Sequence, residues 1–337
     1  MQLLRHYNNE PGNYLLKEHT SGKIRATIFF SMLFLFLFAA SNAQADKYET
    51  TVGGWAMAVQ RADNLWGKGH RRIDSLGSKA DSSSSYMALP YFDTKYIPNY
   101  QDGQKGIATI YLNTITEPGS INMGMKYVFP KGGVVDVSGF YSLLAKNWQN
   151  PYVLYRTATN TMYFGGRITY AKIMDSNFSL SYKIARTDVD NDVIGKLYSD
   201  LRQDGFTHRA NIDYKYDFNK MFSIIPEFSF ERGQFDGSSN SYNSYGGALG
   251  FVIRTPFFNL NTRFYGSTAK FDRLHPVFAK TRDEQTYGTS IVATFPEPFG
   301  WKKYKILAGI NGYQTESNIR FFDRYTMMSL VGLAYSF

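Results

Sequence analysis

The sequence predicts an all-β chain, a transmembrane antiparallel up-and-down β-barrel of about fourteen strands, or twelve if the segments between residues 85 and 115 are loop. Three observations predict it. The first is period-two alternation sustained over segments of ten or more residues, longer than strands of soluble sheets and long enough to cross a bilayer. The second is composition: 26 Tyr and 27 Phe among 337 residues at a mean hydropathy of −0.34. A helical membrane protein would be far more apolar, whereas strands that alternate lipid-facing and water-facing side chains average out this way. The third is that connections alternate in length. Those at 130–133, 174–177, 219–220 and 255–257 are short, and those at 145–160, 188–205, 233–240 and 272–283 are longer. Periplasmic turns and extracellular loops predict that rhythm, and a soluble sandwich has no reason to keep it.

Taken in order, residues 1–22 form an N-terminal extension without periodicity, in keeping with a misassigned start. Lys23 and Arg25 precede the apolar run Ile28 to Ala40, which is followed by Ser41-Asn-Ala-Gln-Ala45. These are the parts of a secretory signal peptide at 23–45, with cleavage after Ala45 and a mature barrel at 46–337. The apolar run is too short to span a bilayer comfortably, and no other stretch is apolar enough for a spanning helix, so membrane residence falls to strands.

Thr50 to Arg61 is the first candidate strand, and residues 62–84 read as a long polar loop. Tyr86 to Tyr96 and Lys105 to Ile115 follow, joined near Pro98-Asn99, with the least defined register in the chain. From Ile121 the alternation sharpens. Pro130-Lys-Gly-Gly133 turns the chain into Val134 to Leu144, and Thr161 to Ile173 and Phe178 to Thr187 come next. Phe206 to Phe218 is the clearest strand. Phe206, His208, Ala210, Ile212, Tyr214, Tyr216 and Phe218 share one face, and Thr207, Arg209, Asn211, Asp213, Lys215 and Asp217 the other, so a one-residue slip would put charge into lipid. Met221 to Arg232, Tyr242 to Arg254, Phe258 to Phe271, Glu284 to Phe295, Tyr304 to Thr315 and Tyr325 to Phe337 complete the set. Aromatics at strand ends, among them Phe129, Phe218, Trp301 and Tyr304 on the turn side and Tyr141 and Phe206 on the loop side, predict interfacial girdles.

The last strand ends in Tyr335-Ser-Phe337, which resembles the C-terminal signature strand of bacterial outer-membrane barrels, so Tyr335 and Phe337 are the candidate assembly signal. Two further stretches carry a likeness: Asp188-Val-Asp-Asn-Asp-Val-Ile-Gly195 with Leu201 to Gly205 and His208, and Glu316-Ser-Asn-Ile-Arg-Phe-Phe-Asp323. They resemble an uncharacterised, domain-of-unknown-function family of Gram-negative outer-membrane barrels. Ser317-Asn-Ile319 is also similar, more weakly, to the barrel part of surface-lipoprotein assembly modifiers. The likeness implies a cell-outer-membrane location and no mechanism. Expected partners are outer-membrane lipid and lipopolysaccharide, the barrel assembly machinery during biogenesis, and a small solute or surface ligand.

The alternation also assigns a lumen. Lys126, Arg167, Lys183, Arg209, Lys215, Arg254, Arg263 and Lys305 point inward together with Asp136, Asp213, Asp217, Glu227 and Glu231, which favours anionic solutes if the lumen holds water. The same charges, paired across strands, would instead brace a closed barrel. Asp188, Asp190 and Asp192 form a candidate divalent-ion loop, although their spacing fails the EF-hand pattern. The histidines of the mature segment are His70, His208 and His275, and no nucleophile elbow accompanies them, so no catalytic residues are assigned and an outer-membrane hydrolase is the weakest reading. Tyrosines in Asn240 to Tyr245 suit sugars or a girdle equally. The net charge of +9 is dispersed, which argues against nucleic-acid binding; zero cysteines removes disulfides and thiolate metal sites; and no cofactor is expected. The expected function is a pore for passive diffusion of small polar or anionic solutes. The alternative is a closed barrel with a surface-interaction or assembly role through its extracellular loops.

Overall fold

The computed structural model describes residues 47–98, 106–114, 120–130, 132–142 and 145–337. The expected extension, signal peptide and cleavage site lie outside the described residues, as do Asn99, Lys105, Ile115, Lys131 and Leu144. The strands in chain order are β1 (Lys47–Ala62), β2 (Ser83–Ile97), β3 (Ile107–Asn113), β4 (Ser120–Val128), β5 (Val134–Ser142), β6 (Lys146–Trp148), β7 (Ala158–Ala171), β8 (Phe178–Val189), β9 (Gly205–Tyr214), β10 (Tyr216–Asp217), β11 (Phe222–Phe235), β12 (Tyr242–Arg254), β13 (Asn259–His275), β14 (Lys280–Pro296), β15 (Tyr304–Ser317) and β16 (Arg324–Ser336). Short β6 lies in a loop and pairs only with β7, and β10 continues β9 past a break at Lys215, whose N–H turns to the Asn177 carbonyl at 3.0 Å. Fourteen strands therefore form the wall, each antiparallel to its neighbours. The sheet closes into a ring because β1 pairs with β16 and β9 with β11.

The sequence explains the register. Outward positions carry Met125, Val137, Ile168, Leu180, Phe228 and Val331, all exposed, while inward positions of the same strands carry Lys126, Asp136, Arg167, Ser181, Glu227 and Gly332. A belt of exposed apolar residues around a closed sheet is what lipid contact needs and what water penalises. Aromatic rings meet along the turn end, Phe299 with Trp301, Trp301 with Tyr304, Tyr304 with Tyr335 and Tyr335 with Phe337, at centroid distances of 5.5, 5.9, 4.9 and 5.0 Å.

Two segments differ from the sequence reading. The expected loop 272–283 is mostly strand: β13 and β14 are 17 residues each and stay paired to His275↔Lys280, across a register shift between Lys270 and Leu274. Such strands rise roughly 40 Å at a tilt of about 45°, well past an apolar band of about 25 Å. Beyond lipid the outward face meets water, so the apolar alternation that marks a strand disappears. Likewise the expected loop 233–240 begins only after Phe235, because β11 continues to pair with Gly205 of β9.

The long loops are not merely polar connections. Ile73 from the first loop, Tyr152 from the loop after β5, Ile194 and Leu201 from the loop after β8, and Ile319, Phe321 and Phe322 from the loop before β16 form one buried apolar cluster, against which Leu65, Leu76, Val277 and Phe278 pack. Five loops thus share a core. Phe321 is fully buried.

Candidate functional site

Beneath this cap the lumen holds a chamber of about 1020 Å³. Its polar lining includes Arg61, Lys68, Lys146, Arg209, Arg263 and Arg324 against Asp63 and Glu231. Of the thirteen lumen residues expected from the alternation, Arg209, Glu231 and Arg263 line this chamber. Lys126, Asp136, Arg167, Lys183, Asp213 and Glu227 share the inward parity of their strands, and Lys215, Asp217, Arg254 and Lys305 stand nearer the turn end.

The charges form two groups. Glu227 receives Arg263 through both Nε and Nη2, at 3.3 and 2.9 Å. Arg209 stands further off, 3.8 Å from Glu227 and 3.9 Å from Glu231, with its Nε donating to Asn211 at 3.0 Å; Glu231 is bonded instead by the Tyr242 hydroxyl at 2.6 Å. At the turn end Lys215 bonds Asp217 at 2.8 Å, Asp217 accepts from the buried Ser223 hydroxyl, and Arg254 donates to Ser223 at 3.1 Å. The pairing of strands also sets like charges side by side: Arg167 lies opposite Lys183, and Lys183 opposite Arg209, on three consecutive strands. Like charges directly opposite one another repel. Lys183 lies 4.7 Å from the centre of the Phe140 ring, a contact that favours a cation.

The opposite wall is apolar. Met57 and Val59 of β1, Met87 and Leu89 of β2, and Met328 of β16 line the chamber. In the ring of fourteen strands β1 stands seven places from β9, so this patch faces the row that ends in Arg209. Tyr265 narrows the chamber by lying over Gly288, its cross-strand partner, where a Cβ would overlap the ring.

The roof of the chamber is ionic. Arg324 donates to Glu284 at 2.7 Å, and buried Arg282 approaches the same carboxylate at 3.5 Å while stacking on Phe271 and Phe322 at 3.5 and 4.2 Å. Above it, Arg156 knits loops together, donating to the Asn64 carbonyl at 2.6 Å and to the His70 carbonyl and lying 4.5 Å over Trp148. Burial lowers the Arg156 pKa to about 10, which leaves it a cation at neutral pH, and burial pushes the Tyr152 hydroxyl far up, so Tyr152 stays neutral. None of this roof was assigned from the sequence. Apolar pairs such as Phe321-Phe322 inside a loop were the available signal.

The remaining candidates are dispersed. Asp192 caps the helix α1 (Val193–Leu197): its carboxylate accepts from Gly195 N–H at 3.0 Å and from Gln203 N–H at 2.9 Å. Among the described residues no group of three or more His, Asp or Glu is arranged to hold a metal ion. His208 bonds the Tyr182 hydroxyl at 2.7 Å on the outward face, His70 meets the Ser82 carbonyl at 3.3 Å, and His275 is buried in the cap against Tyr152 at 3.0 Å. The three histidines therefore do not converge. Phe337 is exposed at the turn end and donates its N–H to Thr50 at 2.8 Å.

A family model described as "Protein of unknown function (DUF2860)" matches residues 48–336. Among solved structures the chain is similar to the anion-selective porin from Comamonas acidovorans, at 8% identity over 87% of this chain and 100% of that one, with a TM-score of 0.42. It is similar to OmpT, an outer membrane protein of Vibrio cholerae, at 6% identity over 88% and 99%, TM-score 0.41. The outer membrane channel DcaP of Acinetobacter baumannii gives 10% identity over 88% and 99%, TM-score 0.37. These likenesses concern barrel architecture and transfer no residue roles. No curated protein matches the chain, and the weaker likeness to surface-lipoprotein assembly modifiers finds no support.

Proposed function

The chain belongs to the DUF2860 family, and we propose that it is an outer-membrane channel admitting small solutes, preferentially anions, through the lumen chamber under the control of its packed loops. The observation that carries this reading is the chamber itself, about 1020 Å³ lined by six basic side chains against Asp63 and Glu231. A water-filled space with an excess of cations concentrates anions and repels small cations. The exposed apolar belt and the ring contacts at the turn end support residence in a bilayer, and closure of the sheet supports crossing it without orphaned backbone groups. Uptake into proteoliposomes tests the reading. Small carboxylates should enter faster than amines of the same size, and equal exclusion of both by a folded barrel would refute it.

A second reading rests on the apolar core shared by five loops. A roof of that kind supports a closed barrel whose outer surface meets a ligand, with Tyr335 and Phe337 serving only assembly. Deleting part of 63–82 separates the two: a channel gains conductance as its roof opens, whereas a loop-borne receptor loses binding with no gain of current.

A further inference from the structure

The interior of a water-filled barrel is ordinarily polar, because apolar side chains facing water there gain nothing from burial. Met57, Val59, Met87, Leu89 and Met328 break that rule on one wall, and they do so together. The facing wall carries Arg209, whose terminal nitrogens lie 3.8 and 3.9 Å from Glu227 and Glu231. The apolar wall gains nothing from water, and a solute with an apolar body and an anionic end matches both walls. We infer that the chamber binds a small amphipathic carboxylate, with its aromatic or short alkyl body on the Met57–Met87–Met328 wall and its carboxylate at Arg209. The inference deepens the channel reading and rests on solutes being able to enter the chamber.

Arg209 is the placed anion donor. Asn211 orients its Nε at 3.0 Å, yet the two nearest carboxylates stand 3.8 and 3.9 Å from its terminal nitrogens, beyond a charge-assisted hydrogen bond. Glu227 has Arg263 at 2.9 Å and Glu231 has Tyr242 at 2.6 Å, so a bound carboxylate would orphan neither. Methionine suits the opposite wall because its flexible, polarisable side chain adapts to differing apolar bodies. A site that holds its solute at both ends does not retain one that lacks either: acetate passes without an apolar body to hold it, and an amine meets the wrong charge.

Equilibrium dialysis tests this with the assembled protein in lipid nanodiscs, empty nanodiscs providing the blank. The probes are 4-phenylbutyrate, acetate and 4-phenylbutylamine. Saturable retention of phenylbutyrate alone is expected. Arg209→Gln should weaken it about tenfold or more, as loss of one charge-assisted hydrogen bond does. Arg209→Lys should restore part of the loss, and the pair Met57→Ser with Met87→Ser should weaken retention while leaving the acid-over-amine preference. Heat-modifiable migration confirms that each variant is a folded barrel. Absent retention, equal retention of the amine, or indifference to both sets of substitutions would overturn the inference. If ions pass in bilayers and phenylbutyrate is not retained, the ligand class falls and the channel reading stands. Retention by a protein that passes no ions supports the ligand site and refutes the channel.

Discussion

Truncating Phe321 to alanine isolates the role of the loop core. Phe321 is fully buried and packs against Tyr152, Phe278 and Phe322 at ring distances of 5.3, 5.3 and 5.2 Å, so its side chain ties its own loop to two others of the roof. Removing a fully buried phenylalanine costs about 3–5 kcal/mol, through lost burial and the cavity left behind. If opening of the roof exposes the ring, the same energy is removed from the closed state relative to the open one. At about 1.4 kcal/mol per factor of ten, the open-to-closed ratio rises about a hundredfold or more. The barrel wall itself keeps every strand pair, so assembly should survive. Single-channel recording of Phe321→Ala beside the unaltered protein reads the ratio directly, and limited proteolysis of the loops reports the loosening independently. Loops that become protease-sensitive while current and solute uptake stay unchanged would refute the roof as a gate. Phe322→Ala should behave alike, because it shares the same core.

Three further outcomes follow from the geometry. Arg263→Gln removes the bidentate partner of Glu227 and leaves that carboxylate facing the chamber with Arg209 alone; reversal potentials in a salt gradient should shift toward cations. Gly288→Val drives a side chain into the Tyr265 ring, and since the ring must leave its place, conductance and phenylbutyrate retention should both change while Gly312→Ala, whose added Cβ meets only ordinary contact, changes neither. Asp204 supplies a pH dependence: burial first, then the nearby Asp188, Asp192 and Asp236, raise its pKa against the lowering effect of the Val189 N–H. A carboxyl with a raised folded-state pKa favours the folded loop when protonated, so stability is fullest in acid and declines as pH rises through that raised value. Hydrogen-exchange protection across 190–204, corrected for the intrinsic pH dependence of amide exchange, should be greater at pH 4 than at pH 7, and Asp204→Asn, which keeps an acceptor for Val189, should flatten the difference. Unchanged pH dependence in the variant would sink the assignment.

What could be read from the sequence tracks where one face meets lipid. Between Ile121 and Phe271 a slip of one residue would bury Lys126, Arg209 or Glu227 in an apolar belt, so register was over-determined and the strand count came out at fourteen. In β1 and β2 both faces carry apolar residues, Ala56 and Ala88 outward and Met57 and Met87 inward, so alternation is weak and the chamber's apolar wall could not be seen. The hairpin end 272–283 reads as loop because outside the bilayer Asp272, Arg273, Lys280 and Asp283 are as welcome on a strand as in a turn. The roof was illegible for a different reason. Ile73, Tyr152, Ile194 and Phe321 are separated by scores of residues and have no common period, and only folding of the barrel brings their loops together. Asp192 shows how a motif misleads: three aspartates in a row of alternate positions suggest cation binding, while the Asp192 carboxylate accepts hydrogen bonds from Gly195 and Gln203.

The most direct measurement is the reversal potential of the purified protein and of Phe321→Ala in planar bilayers under a potassium chloride gradient. Stable conductance steps with an anion-biased potential, more frequent in the variant, are the predicted result. Silence from both, in protein whose heat-modifiable migration marks a folded barrel, or a cation-biased potential, would contradict the account of a basic, loop-gated lumen.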